Sequence, residues 1–260
     1  MSSRTLACSV AAVAILLAIS RARALTPDEE NTIDVYRKVA PSVVNITTTS
    51  VDRGFFLSPT PSSGTGSGIV LQDNGLIVTN HHVVADARRI EVTLADGTHW
   101  EAVLVGSAPE RDLAVIAIEA EGHSLTAMAL GDSEALEVGQ KVLAIGNPFG
   151  LGQTLTTGTV SMLGRTIRTD DGRVLRNMIQ TDASINPGNS GGALVDSRGK
   201  LVGVNAAIFS TTGSSIGIGL AIPVNEVKRV VPGLTSPWGR WLGWALAALV
   251  LGWMLRRIYR

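Results

Sequence analysis

Residues 186–192 read Asn-Pro-Gly-Asn-Ser-Gly-Gly, one hydroxyl among glycines and a proline. Such a run forms neither a helix nor a regular strand. Pro187 fixes its own φ, and the glycines open backbone conformations closed to other residues. Two readings are open at this point. The run is a surface turn made of the usual turn residues, or it holds Ser190 as a nucleophile on a tight loop whose N–H groups receive an oxyanion.

A serine nucleophile needs a base, and the base needs an acid to orient it. Histidine is the usual base because it titrates near neutrality. The chain has 4 histidines. His99 and His123 lie in polar, turn-like surroundings and read as solvated surface residues. His81 and His82 end an apolar strand and precede Val83 and Val84, where a polar pair is costly unless partnered. They read either as a satisfied structural pair or as the source of the base. Asp112 stands just before Leu-Ala-Val-Ile-Ala-Ile, at the edge of a buried region. A carboxylate there needs donors, and an imidazole N–H is one; the plainer alternative is a turn aspartate. Asp182, close to Ser190 in sequence, is a rival acid that spacing does not rank.

Metal and cofactor chemistry find no support, so none is expected. Adjacent histidines on a strand point to opposite faces, and neither a His-Glu-x-x-His motif nor a Cys/His cluster is present. Gly64-Thr65-Gly66-Ser67-Gly68 is a near miss for a phosphate-binding loop, because it leads into a strand and not a helix. The formal net charge is +0 and no basic cluster exists, which argues against a nucleic-acid partner.

The elements that would position these side chains are strands. Thr26, Pro27 and Glu29 spell a helix start with a capping box, and that helix should end before Pro41. Six strands are then predicted at Val43–Thr49, Gly66–Leu71, Leu76–Thr79, Ile90–Leu94, Trp100–Gly106 and Leu113–Ile118. After the irregular stretch Glu119–Gln140, six more follow at Val142–Ile145, Gln153–Leu163, Met178–Gln180, Ala193–Val195, Leu201–Ala207 and Gly217–Ile222. Asp-Gly and Arg-Gly turns separate several of them, and a short helix near Asn225–Val231 closes the domain. Residues 52–68 read as a long loop that exposes Phe55 and Phe56. The fold class expected is all-β, two six-stranded antiparallel barrels, with membrane segments at the ends.

The pieces resemble one family. Thr-Asn-His-His-Val-Val, Arg-Asp-Leu-Ala-Val-Ile, Gly-Asn-Pro-Phe-Gly and Gln-Thr-Asp-Ala-Ser-Ile-Asn-Pro-Gly-Asn-Ser-Gly-Gly occur in the order seen in HtrA/Deg-type serine proteases, the bacterial branch of the chymotrypsin fold. The resemblance covers about Asp28 to Val231. It implies that His82 is the base, Asp112 the orienting acid and Ser190 the nucleophile. It places the oxyanion hole at the backbone of Gly188, Asn189 and Ser190. It puts Ser184, Ile185 and the strand Val204, Asn205, Ala206, Ala207 and Ile208 around the primary substrate pocket. These are uncharged, so cleavage after a small aliphatic residue is expected. Partners implied are protein or peptide substrates and a homotrimer, with Tyr36 and Phe149 as places to look for its contacts. The family's usual PDZ modules have no counterpart after Val231.

The two ends complete the expected organisation. Residues 1–24, apolar from Leu6 to Ser20 and closing on Ala22-Arg23-Ala24, read as a secretory signal peptide. Arg21 and Arg23 oppose export and leave an uncleaved N-terminal anchor as the alternative. The sole cysteine, Cys8, lies there, so the mature chain makes no disulfide. Residues 25–51 form the N-terminal helix and first strand, 28–231 the protease domain, and 232–240 a linker. Residues 241–255 are uncharged, with Trp238, Trp241, Trp244 and Trp253 near the ends of the run and Arg256, Arg257 and Arg260 after it. This reads as a C-terminal membrane anchor with a basic cytoplasmic tail at 256–260, the domain lying on the extracytoplasmic face of a bacterial inner membrane. A spanning helix needs about 20 residues, so an interfacial or packed helix, or a protein secreted into the periplasm, is the alternative.

Overall fold

The computed structural model of the chain describes residues 25–52, 60–148, 150–169, 172–208 and 217–236. The predicted leader, Phe55, Phe56, Phe149 and the predicted C-terminal anchor lie outside the described residues. Among the described residues, no helix is long and apolar enough to cross a membrane.

The chain divides into two units, residues 1–34 and 35–260. Helix α1 (Pro27–Val39) begins in the first unit, where it opens on the expected capping box. Thr26 N–H and Oγ1 donate to Glu29 Oε2 at 2.7 and 2.9 Å, and Glu29 N–H donates to Thr26 Oγ1 at 3.3 Å. Those bonds to Thr26 hold the Glu29 carboxyl below the usual carboxylate range.

The second unit carries twelve strands among its described residues. They are β1 (Val43–Asp52), β2 (Thr60–Val70), β3 (Leu76–Thr79), β4 (Arg89–Thr93), β5 (His99–Ala108) and β6 (Leu113–Ile118), then β7 (Lys141–Gly146), β8 (Thr154–Arg168), β9 (Val174–Thr181), β10 (Ala193–Asp196), β11 (Leu201–Ile208) and β12 (Gly219–Pro223). A single helical turn, α2 (His81–Val84), follows β3, and helix α3 (Val224–Thr235) follows β12. The strands close into two antiparallel barrels, ordered β1-β2-β3-β6-β5-β4 and β7-β8-β9-β12-β11-β10. The second barrel repeats the strand order of the first, a repeat carried by topology and not by sequence.

Each barrel closes around its own apolar interior. Ile46, Ile77, Val92, Ala114 and Ile116 fill the first, and Val142, Ala144, Ile179, Leu194 and Ala221 the second. A third cluster joins Val43, Ile69, Val78 and Leu113 of the first barrel to Leu143, Ile145, Ala193 and Val204 of the second. Strands facing two such clusters are buried on both sides, which is why β6, β7 and β12 read as apolar runs with little alternation.

Two expectations are corrected. Residues 60–65, read as loop from their Pro/Ser/Gly composition, extend the strand expected from Gly66 and pair with β1 from Thr60↔Asp52 to Thr65↔Thr47. Backbone pairing supplies the hydrogen bonds whatever the side chains are. His81 and His82 do not end a strand; they open the α2 turn, so their side chains do not alternate across a sheet.

Candidate active site

Asp112 follows a 3-10 turn (Pro109–Arg111) and sits in the left-handed region, φ 52° and ψ 38°, only 3% exposed. Aspartate is among the few residues that enter that region readily. The conformation lets Asp112 grip the α2 turn twice. Its main-chain carbonyl accepts from His81 N–H and Asn80 Nδ2, both at 3.1 Å. Its carboxylate accepts from His82 N–H at 3.0 Å through Oδ1 and meets His82 Nδ1 at 2.8 Å through Oδ2. A carboxylate facing Nδ1 keeps the proton on that nitrogen and leaves Nε2 as a proton acceptor. The rival Asp182 is elsewhere: it is exposed, and its Oδ1 accepts from Thr159 N–H at 2.5 Å.

One contact to Asp112 comes from the other barrel. Arg173, just before β9, places Nη1 3.7 Å from Asp112 Oδ1 and donates to Pro109 O at 2.9 Å. A guanidinium there supports both the carboxylate and the turn that carries it.

The serine loop is built from the second barrel. Asn189 N–H donates to Asn186 O at 2.9 Å, and Gly192 N–H donates to Asn189 O at 2.9 Å. Gly188 and Gly191 take φ of 90° and 83°, a region that side chains rarely enter. A Cβ on Gly191 would stand 2.1 Å from Ser67 O. Two N–H groups of the loop, those of Gly188 and Ser190, have no acceptor among the described residues. Asn189, expected beside the oxyanion hole from sequence, has its N–H committed to Asn186 O.

His82, Gly188 and Ser190 line one cleft of about 390 Å³. Ser190 Oγ donates to Ala206 O at 2.8 Å, and no hydrogen bond joins Ser190 to His82. Catalytic hydrogen bonds are often unmade before substrate arrives.

Of the residues expected around the primary pocket, Ile185, Val204, Asn205 and Ala206 are buried, and Ser184 is half-buried. Val204 and Ala206 belong to the cluster between the barrels, and Ile185 to the interior of the second. Asn205 N–H donates to Gly192 O and Asn205 O accepts from Gly191 N–H, both at 2.8 Å, so it shapes the serine loop. None of the expected pocket residues lines the 390 Å³ cleft. Ala207 and Ile208 lie on β11, their side chains outside the described ones.

Two positioning residues escaped the sequence reading. Ser67, fully buried on β2, donates through Oγ to Gly188 O at 2.6 Å and accepts from Asn147 N–H at 2.8 Å, while its own N–H donates to Ser190 O at 2.8 Å. Asn45 on β1 donates through Nδ2 to Asn147 O at 2.7 Å. The glycines around Ser67 are a legible signal of close backbone approach, though in the sequence they read only as a near miss for a phosphate loop.

Two six-stranded barrels, with a His–Asp pair on the first and a glycine-rich serine loop on the second, define the trypsin-like class of hydrolases. A trypsin-like peptidase domain matches residues 66–204, and the chain belongs to this family, within its HtrA-type branch. It is 46% identical over 216 residues to Protease Do-like 1, chloroplastic, of Arabidopsis thaliana, covering 82% of this chain and 49% of that protein. It is 51% identical over 166 residues to the periplasmic serine endoprotease DegP of Escherichia coli (strain K12), covering 64% of this chain and 34% of that one. The solved HtrA-type protease AlgW with tripeptide is similar at a TM-score of 0.70 and 44% identity, over 79% of this chain and 64% of that chain. The chain thus spans about half the length of the first relative and about a third of the second.

Proposed function

We propose that the chain is a serine endopeptidase that acts on proteins or peptides outside the cytoplasm, tethered by its C-terminal segment. The observation that carries this reading is the Asp112–His82 contact of 2.8 Å facing Ser190 across one cleft. In the reaction, Ser190 Oγ leaves Ala206 O, gives its proton to His82 Nε2 and attacks the peptide carbonyl. Asp112 holds the imidazole and stabilises the imidazolium. The Gly188 and Ser190 N–H groups bind the oxyanion; one such donor is worth about 3–4 kcal/mol of barrier. His82 then protonates the leaving amine, and water, deprotonated by His82, releases the acyl group from Ser190 Oγ.

DegP is named as periplasmic, which supports an extracytoplasmic site for this chain. The proposal keeps the boundaries read from sequence: a leader to residue 24, the protease domain to 231, and an anchor at 241–255. Cleavage after small aliphatic residues and assembly as a homotrimer belong to the same proposal. Tyr36 is engaged within its own chain, its hydroxyl donating to Gln153 O at 3.3 Å.

A second reading, a latent or non-catalytic binding protein on a protease fold, is favoured by one observation: the Ser190 hydroxyl points to Ala206 O and not to His82. One experiment separates the two. A fluorophosphonate reagent is applied to carbonate-washed membranes carrying the wild-type chain or Ser190→Ala. Labelling confined to the wild-type membranes supports an active, anchored protease. Labelling only in the supernatant removes the anchor, and absent labelling favours the latent reading.

A further inference from the structure

The 390 Å³ cleft beside His82 is not the expected primary pocket, and its lining has a chemistry of its own. Thr48, Ser50, Ser62, Ser63 and Thr65 contribute hydroxyls, and Asp86 contributes a carboxylate. Apart from His82, Asp86 is the only ionisable residue among the described residues that line the cleft. Asp86 is exposed and has no hydrogen bond or ion pair among the described residues. Arg89, close by in sequence, is turned to Glu91 and Glu101 at 3.9 and 3.8 Å.

The cleft's position states which part of a substrate it meets. Ser190 Oγ donates to Ala206 O on β11, so the nucleophile stands between β11 and the cleft, and the acyl side of the scissile bond is assigned, as part of the proposal, to β11. The cleft lies toward His82 and the first barrel, and His82 is the group that hands a proton to the leaving amine. The edge of β2 is also available. It pairs with β1 along Thr60–Ile69 but with β3 only at Ile69 and Val70, so Ser62–Gly66 carry no strand on their other edge among the described residues. An extended peptide can add to such an edge through its backbone, leaving side-chain pockets to select the sequence.

We propose that this cleft receives the residues that follow the scissile bond, and that Asp86 selects a Lys or Arg side chain within the first two of them. The proposal rests on the endopeptidase reading for its place in the reaction, but its charge chemistry can be read by binding alone. An exposed carboxylate contributes modestly, so the selectivity for Lys over Glu is about three- to tenfold and weakens as salt rises.

The test uses the full chain and peptides alike except at the two positions after the cut, which carry Lys, Gln or Glu. Cleavage is followed by mass spectrometry, and binding to the Ser190→Ala chain by fluorescence anisotropy. The expected result is faster cleavage and tighter binding of the Lys peptides, a preference lost in Asp86→Asn and reversed in Asp86→Lys. Equal treatment of Lys and Glu by the wild-type chain, or a preference that survives Asp86→Asn, overturns the proposal. Ser190-dependent cleavage without the preference leaves the endopeptidase reading standing and removes the subsite. A binding preference without cleavage does the reverse.

Discussion

The smallest unit of the mechanism is one carboxylate with two jobs. Asp112 Oδ2 orients the His82 ring and Oδ1 holds the His82 N–H, so the side chain fixes both the base and the turn beneath it. Asparagine tolerates the same left-handed backbone and keeps one oxygen, but its amide presents donors where Nδ1–H needs an acceptor. The ring then loses the tautomer that leaves Nε2 free. Asp112→Asn is therefore expected to fold as stably as the wild type in urea titration, within about 1 kcal/mol. It should lower kcat on a peptide substrate by about 10⁴-fold. A loss of folding instead of kcat would show that the carboxylate serves structure first. This residue also marks where the sequence stopped being sufficient. Asp112 stands out by its place before a buried strand, but only the family resemblance sets Asp182 aside, because which acid meets His82 is set by the β3–β6 pairing. That pairing spans residues far apart in the chain.

At the scale of elements, the strands were legible and their ends were not. Apolar runs marked β6, β7 and β12 most clearly, since a strand buried between two clusters has little freedom in composition. The missed portions are those without regular alternation of side chains. The first half of β9 is an example: Arg176 and Asn177 are exposed and Asn177 takes φ 59°, which breaks the alternation that reveals a strand. The turn between β8 and β9 matters for more than closure, because it delivers Arg173 to Asp112 and Pro109 O. Arg173 acts through Asp112 and touches no reacting atom, so it is a positioning residue. Arg173→Ala is expected to lower kcat about tenfold, near 1.4 kcal/mol, with KM changed less than about twofold, because no substrate contact is removed. Arg173→Lys should restore part of the rate by returning the charge without the fork. A change confined to KM, or no rescue by lysine, would assign the residue to substrate binding or to folding.

The whole molecule divides the candidate triad between two closed barrels, so its geometry is set where they meet. His82 and Asp112 come with the first barrel and Ser190 with the second. Neither barrel has the mechanism alone. Ser67 is the tie nearest the candidate chemistry: its hydroxyl donates to the carbonyl of Gly188, whose N–H is the proposed oxyanion donor, and accepts from Asn147 N–H at the end of β7. Replacing it by alanine removes little volume but leaves a buried donor and a buried acceptor unpaired, at about 1–3 kcal/mol each. Ser67→Ala is thus expected to lower stability by roughly 2–4 kcal/mol in urea unfolding. It should also release the Gly188 peptide, so that the fraction of sites labelled by a serine reagent falls and kcat drops by about 10- to 100-fold, even in the molecules that remain folded. Native unfolding behaviour with an unchanged kcat would show that the serine loop holds its shape without the first barrel.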